Sequence, residues 1–450
     1  MYAPTLSLAD APRRTLVSAR RLAVMLAAPL AAVVLAGCAV PASMAAQPQV
    51  EPTPGASASA APLPEPAQLT TRLAQVSTAK IDRVAVTVTT TDGIVLAARS
   101  GTKPLTPAST MKVVTTMAAV DILGADHRFT TKAVDAGNAK VILVGGGDPV
   151  LTDKSSTSVY KRASLQRLAA ATAAALKAKG QTQITLGYDA SLFSGPTFSP
   201  YWKKKWKGTE ARVAALEISS GKVGWRAQAN PPLTAAKAFA SRLKKAGIKV
   251  SKIAAAKASA GASELASVTS ASLAMIIKRT LLISDNVGAE TLSRHASLAN
   301  GHAGSFSSAS ANVKDWLSAK GLWASGLKIL DGSGLAPGSK LSTETLAKAM
   351  RAALAEPTYV PVTAGLPVAW ETGTLAKRFD DKSEKAGRHN VHAKTGTLRG
   401  VAGLVGYLTT KDGARLVFAE LANTSKPVSY TRLYNWLDRT AAATITCSCR

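Results

Sequence analysis

The chain has 450 residues, with 55 Lys and Arg against 27 Asp and Glu, a formal charge of +28, and three cysteines. One hydrophobic core stops growing near ~250–300 residues, so more than one domain is expected. An apolar content of 46% excludes wholesale disorder, and the scarcity of cysteine and of long apolar runs excludes a disulfide scaffold or a polytopic membrane protein. Taken alone the positive charge suggests a nucleic-acid binder, a reading that depends on the compartment.

The N-terminus addresses the compartment. Arg13, Arg14, Arg20 and Arg21 precede an apolar run from Leu22 to Ala36, too short for a membrane span and right for the apolar core of an export signal. The run ends in Leu35-Ala36-Gly37-Cys38, which resembles a bacterial lipobox, so residues 1–38 are expected to be a signal peptide and Cys38 to be lipidated. The alternative is ordinary cleavage nearby, after Ser43-Met44-Ala45 for instance, which releases a secreted form. Outside the cytoplasm the surrounding polyanions are envelope polymers and lipid headgroups, and no nucleic-acid partner is expected.

Residues 39–68 are rich in Pro, Ala and Ser, with Glu51 and Glu65 as their only charges, and predict an extended spacer. The fold is expected to begin near Leu69. Val84 to Thr90 alternates as a strand, Thr91-Asp92-Gly93 turns, and Ile94 to Ala98 returns, which predicts a hairpin. Pro107 to Lys112 then leads into a helix over Val113–Leu123, stopped by Gly124. Ser109 therefore sits at a helix N-terminus, where unpaired N–H groups favour developing negative charge, with Lys112 one turn behind it.

Ser-x-x-Lys spacing recurs from Ser77, Ser100, Ser158, Ser219, Ser241 and Ser325, so spacing alone carries nothing. Context singles out Ser109. Further along, Ser284-Asp285-Asn286 follows a helical stretch over Leu273–Ile283, and Lys394-Thr395-Gly396-Thr397 leads into a strand over Val401–Leu408. About 175 residues separate Ser109 from Ser284, more than one helix and loop use. An inserted domain is expected at 132–257, holding a strand over Val141–Val144, the basic aromatic run Tyr201 to Lys207 and a helix over Thr234–Ala246. The catalytic domain is then 69–131 plus 258–445. Cys447 and Cys449, two apart at a frayed end, predict no structural disulfide.

Each motif alone is weak; three in this order and context are strong. With Gly145 to Pro149, Asp331 to Leu335, Gly373-Thr374-Leu375 and Val391 to Gly400, the sequence resembles the active-site serine penicillin-binding proteins, in particular the low-molecular-mass D-alanyl-D-alanine carboxypeptidase/endopeptidases. The resemblance runs from about Leu69 to Leu437. It implies an α+β, penicillin-binding/serine β-lactamase-like catalytic domain, an antiparallel sheet flanked by helices, with an inserted second domain. It implies too that the partner is a peptidoglycan peptide ending in D-Ala-D-Ala, that β-lactams are covalent inhibitors, and that no cofactor is needed.

Ser109 is then the nucleophile. None of the five histidines falls in a recognisable triad context, so Lys112 is the nearest base; bringing it from pKa ~10.4 to about 7 costs roughly 4.6 kcal/mol, which burial and a second cation at Lys394 favour. On the family pattern Ser284 passes a proton to the leaving amine, Asn286 hydrogen-bonds the peptide, Lys394 and Thr395 within Lys394-Thr395-Gly396-Thr397 bind the terminal carboxylate, and the N–H groups of Ser109 and Thr397 form the oxyanion hole. Asp148 and Asp331 are expected to be backbone devices of Gly-rich turns, and His392 a packing residue. No metal-ligand cluster is visible. A class A β-lactamase lacks support because no Glu-x-x-Leu-Asn element is found, and the ~40 residues of fold before Ser109 leave no room for a large biosynthetic module. A non-catalytic wall-binding protein that keeps the fold is the remaining alternative.

Overall fold

The computed structural model describes residues 61–155, 160, 162–224 and 226–447. The export signal, Cys38 and most of the expected spacer lie outside the described residues. The chain runs α1 (Pro66–Ala74), β1 (Arg83–Thr90), β2 (Val95–Arg99), α2 (Met111–Leu123), β3 (Thr130–Asp135), β4 (Lys140–Val144), α3 (Leu165–Ala178), β5 (Gln183–Asp189), the two-residue strands β6 (Lys222–Val223) and β7 (Arg226–Ala227), α4 (Pro231–Lys245), β8 (Lys249–Ala255) and β9 (Ser263–Thr269). It continues with α5 (Leu273–Leu282), α6 (Asn286–Ala299), α7 (Phe306–Ala319), α8 (Thr343–Ala355), the single turn α9 (Val360–Thr363), β10 (Val391–Leu398), β11 (Val401–Thr409), β12 (Arg415–Asn423) and α10 (Tyr430–Ile445). No described helix is long and apolar enough to cross a membrane.

Five antiparallel strands in the order β10-β11-β12-β1-β2 form the sheet that carries the site. Its central strand β12 is buried on both faces, and the two-residue side-chain period divides them. Val417, Ala419 and Leu421 pack with helices α2, α5, α7 and α8, whereas Leu416, Phe418 and Ala422 pack with α1 and α10. Helix α2 is buried on every side from Met111 to Val120, which is the signature of a central helix.

A second sheet has the order β8-β5-β4-β3-β9. Strands β4, β5 and β8 run parallel, joined through α3 and α4, while β3 pairs antiparallel with β4 and β9. Parallel neighbours require such crossover helices. This unit has its own apolar core around Leu143, Leu168, Leu186, Phe239 and Leu243.

Several expectations need correction. Helix α1 begins at Pro66, inside the stretch assigned to the spacer, because Glu65 caps the N–H groups of Ala67 and Gln68 and proline suits the first helical position. The second sheet draws on residues 130–269, wider than 132–257, because β9 returns to pair with β3. Lys394 to Thr397 do not lead into a strand but lie within one, β10, hairpinned to β11 with Thr397 opposite Ala402. Cys447 is not at a frayed end: it is 1% exposed in the α1/α10 core and is disulfide-bonded.

Candidate active site

Three elements bring the sequence-predicted residues together. A short 3-10 turn, Ala108–Thr110, runs directly into α2, placing Ser109 half-buried before the helix and Lys112 in its first turn. Ala108 is held at φ 48°, a conformation that costs an alanine energy and is kept only where the surroundings enforce it. The enforcement is visible at Gly334, which also has positive φ and whose added Cβ would lie 1.9 Å from the Ala108 carbonyl oxygen. At the second element α5 ends, Ser284 turns at φ 57°, and Asp285 caps α6 by accepting from the Gly288 N–H at 3.1 Å. The third element is β10. Gly396 backs onto the Ser109 turn so closely that a Cβ there would sit 2.6 Å from Pro107 O.

Lys112 is fully buried and makes three hydrogen bonds, donating to Ser109 Oγ at 2.8 Å, Asn286 Oδ1 at 2.7 Å and Ser333 O at 2.8 Å. Burial lowers its pKa to about 8, against the opposing attraction of Asp331, Glu290, Asp285 and Glu210. Lys394 is also fully buried and donates to Ser284 Oγ at 2.9 Å and Thr395 O at 2.8 Å. Burial first, and the positive charge of Lys112 second, hold it well below the ordinary lysine range. The site thus holds two lysines, each on a serine hydroxyl and each less able to keep its proton because of burial, with the charge of Lys112 adding to the effect at Lys394.

The loop that meets Lys112 is organised by two buried carboxylates. Glu290 accepts from the N–H groups of Gly332 (3.0 Å) and Ser333 (2.8 Å). Asp331 accepts from Trp202 Nε1 (2.7 Å) and from the N–H groups of Gly334 (2.9 Å) and Ala336 (2.7 Å). Asp331 is therefore the backbone device expected, and Asp148 likewise accepts from the Val150 N–H at 2.9 Å. His392 stacks on Tyr407, the packing role expected of it; His295 stacks on Phe129 and meets Gly147 O at 3.0 Å.

A cleft of about 260 Å³ opens beside Ser284 and Asn286, with Glu210, Ser220, Lys222 and Arg279 on its walls. Asp285 stays below the usual carboxylate range: burial opposes this, but Arg279 and hydrogen bonds from Gly288 and Ser220 prevail. Residues beyond Ser109, Lys112, Ser284, Asn286 and Lys394 also reach the site. Thr374 and Thr395 share a hydroxyl–hydroxyl bond of 2.7 Å, Thr397 meets the Tyr434 hydroxyl at 3.1 Å, and Glu210 accepts from Asn286 Nδ2 at 3.1 Å. Gly373-Thr374-Leu375 did carry a signal; Tyr434 and Glu210 stand in no motif.

A serine hydroxyl on a buried lysine amine, a second hydroxyl–lysine pair and an open cleft are parts that a covalent acyl-transfer site uses. The comparisons agree. The model of the D-Ala-D-Ala carboxypeptidase 3 (S13) family matches residues 66–228 and 219–442. A carboxypeptidase of Mycobacterium tuberculosis is 34% identical over 340 residues, covering 72% of this chain and 72% of its own. Carboxypeptidase DacB of Mycolicibacterium smegmatis is 32% identical over 362 residues, with 77% and 76% covered. Among solved structures, penicillin binding protein 4 (dacB) of Haemophilus influenzae superposes with a TM-score of 0.70 at 20% identity, covering 82% of this chain and 97% of its own. The likeness in fold and the sequence matches lead to one assignment: the chain belongs to the D-Ala-D-Ala carboxypeptidase 3 (S13) family.

Proposed function

We propose that the chain hydrolyses peptidoglycan stem peptides ending in D-Ala-D-Ala, as a serine-type carboxypeptidase and at cross-links as an endopeptidase, through an acyl-enzyme on Ser109. The single observation that carries this reading is the Lys112 amine 2.8 Å from Ser109 Oγ, in a fully buried position. Neutral Lys112 takes the hydroxyl proton as Oγ attacks the carbonyl of the penultimate D-Ala. Negative charge develops on the carbonyl oxygen at the N-terminus of α2, against the N–H groups of Ser109 and Thr397. Ser284, on Lys394, delivers its hydroxyl proton to the departing amine of the terminal D-Ala and is resupplied with the proton that Lys112 took from Ser109, which leaves Lys112 neutral again. Lys394, Thr395, Gly396 and Thr397 offer the substrate carboxylate an amine that the carboxylate's own charge helps to protonate, two hydroxyls and a close strand edge, and Asn286 holds the peptide. Water then cleaves the Ser109 ester and restores the hydroxyl.

The same serine takes β-lactams, whose strained amide stands in for the D-Ala-D-Ala bond; the Haemophilus influenzae neighbour was solved with such a compound. The catalytic domain, built from the chain on either side of residues 130–269, is interrupted by the unit of the second sheet. The enzyme works in the cell envelope, exported by residues 1–38 and tethered by lipid on Cys38, with the Pro-, Ala- and Ser-rich stretch before the Glu65 cap of α1 as spacer. Labelling with a fluorescent penicillin tests the reading: a covalent adduct on the wild type that Ser109→Ala abolishes is expected, and an unlabelled wild type contradicts it.

A further inference from the structure

Glu210 belongs to the unit of the second sheet, on the stretch between β5 and β6, yet it reaches the machinery of the other. Its Oε2 accepts from Asn286 Nδ2 at 3.1 Å, while Asn286 Oδ1 accepts from Lys112 Nζ at 2.7 Å. An amide has one accepting and one donating end. Turning Asn286 over would set its NH₂ against the lysine donor and its oxygen against a carboxylate, losing both bonds, so Glu210 decides which way Asn286 points.

The charged groups facing Lys112 come from five places: Glu290 on α6, Asp331 on its loop, Asp285 at the α5–α6 turn, Lys394 on β10, and Glu210. Three of the four acids are engaged elsewhere. Glu290 and Asp331 hold backbone N–H groups of the 331–336 loop, and Asp285 holds Arg279, Ser220 and the first turn of α6. The Glu210 carboxylate instead lies half-buried on the cleft wall, bonded to Asn286.

We infer that Glu210 is a positioning residue for acylation: its carboxylate locks the Asn286 amide with the oxygen toward Lys112, and its negative charge, across that amide, favours the protonated lysine. The step it governs is transfer of the Ser109 Oγ proton to neutral Lys112 as the Oγ–C bond forms and the carbonyl π pair moves onto oxygen. The inference rests on the Ser109–Lys112 reading above.

The test is the pH dependence of acylation by a fluorescent penicillin, measured on the full chain between about pH 6 and about pH 10. In Glu210→Gln the acid limb is expected to move to lower pH by about half a unit, the effect of one charge several ångströms away. The plateau should largely survive, because the glutamine carbonyl still accepts from Asn286. Glu210→Ala should show the same shift and lose about tenfold in plateau rate as Asn286 is freed. Unshifted limbs in both variants overturn the inference, whether or not the plateau falls, as does unchanged acylation with slowed release of the adduct, which would make Glu210 the base for water. An unlabelled wild type, or labelled Ser109→Ala, overturns instead the reading beneath it.

Discussion

Lys394 Nζ lies 2.9 Å from Ser284 Oγ, and 110 residues separate the two in the chain. The pair repeats what Lys112 and Ser109 make at 2.8 Å; under the proposed function the two pairs serve the leaving group and the attacking hydroxyl. Neither lysine has a carboxylate against it; their partners are hydroxyls, an amide and backbone carbonyls. Two buried amines kept from ion pairs, both with lowered pKa values, give up protons to neighbouring hydroxyls more readily than salt-bridged lysines do.

Acylation should therefore follow the deprotonation of Lys112. With its pKa lowered by burial to about 8, the rate of penicillin labelling should rise from pH 6 toward 8 and level off above, as the neutral base accumulates. A rate unchanged over this range contradicts Lys112 as the base.

The same shift makes a stability prediction. Between about 8 and the ordinary lysine value of 10.5, the unfolded chain binds a proton that the folded chain does not, so folding stability gains with pH across that window and the cost of burial is fully present below it. Lys112→Met removes that cost, about 3 kcal/mol at most, partly offset by hydrogen bonds lost at Asn286 and Ser333. Thermal melts should show the variant's advantage over wild type shrinking as pH rises through the window; a constant difference argues against the shift.

Gly334→Ala should be severe. The Cβ would lie 1.9 Å from Ala108 O at a residue with φ 79°, so the turn holding Ser109 must move. A loss of more than ~2 kcal/mol in urea unfolding, with acylation at least tenfold slower, is expected. An alanine variant with wild-type stability and labelling rate would show that the contact does not shape the nucleophile turn.

Cys38→Ala tests the anchor. If lipid on Cys38 holds the enzyme to the membrane, the variant should pass from the membrane fraction to the medium while keeping its activity. Unchanged fractionation rejects the anchor without touching the catalytic assignment.

What could be read from the sequence was what is local. The β1–β2 hairpin, the helix starting behind Ser109 and stopping at Gly124, and the Ser-x-Asn turn after α5 are set by residues a few positions apart, and the structure has all of them. The motif residues Ser109, Lys112, Ser284, Asn286, Lys394 and Thr395 were marked by the order and context of three short motifs, and the structure brings them together. Glu210 and Tyr434 stayed hidden, because an isolated acid in a lysine-rich run and a tyrosine in an amphipathic helix acquire meaning only when Asn286 and Thr397 arrive beside them. The extent of the second sheet was misjudged for a similar reason, since β9 is assigned by pairing with a strand well over 100 residues earlier. The burial of Cys447 likewise depends on α10 docking against the sheet, which two cysteines at a chain end do not announce.

The central claim is that Ser109 carries an acyl group during hydrolysis of a D-Ala-D-Ala bond. Mass spectrometry of the acid-quenched enzyme with a muropeptide ending in D-Ala-D-Ala, and with a cross-linked dimer, tests it most directly. The account predicts products shortened by one D-Ala, dimers cut to monomers, and the peptide minus that D-Ala bound to the fragment containing Ser109. Shortened products formed equally by Ser109→Ala, or no product at all from the wild type, would contradict it.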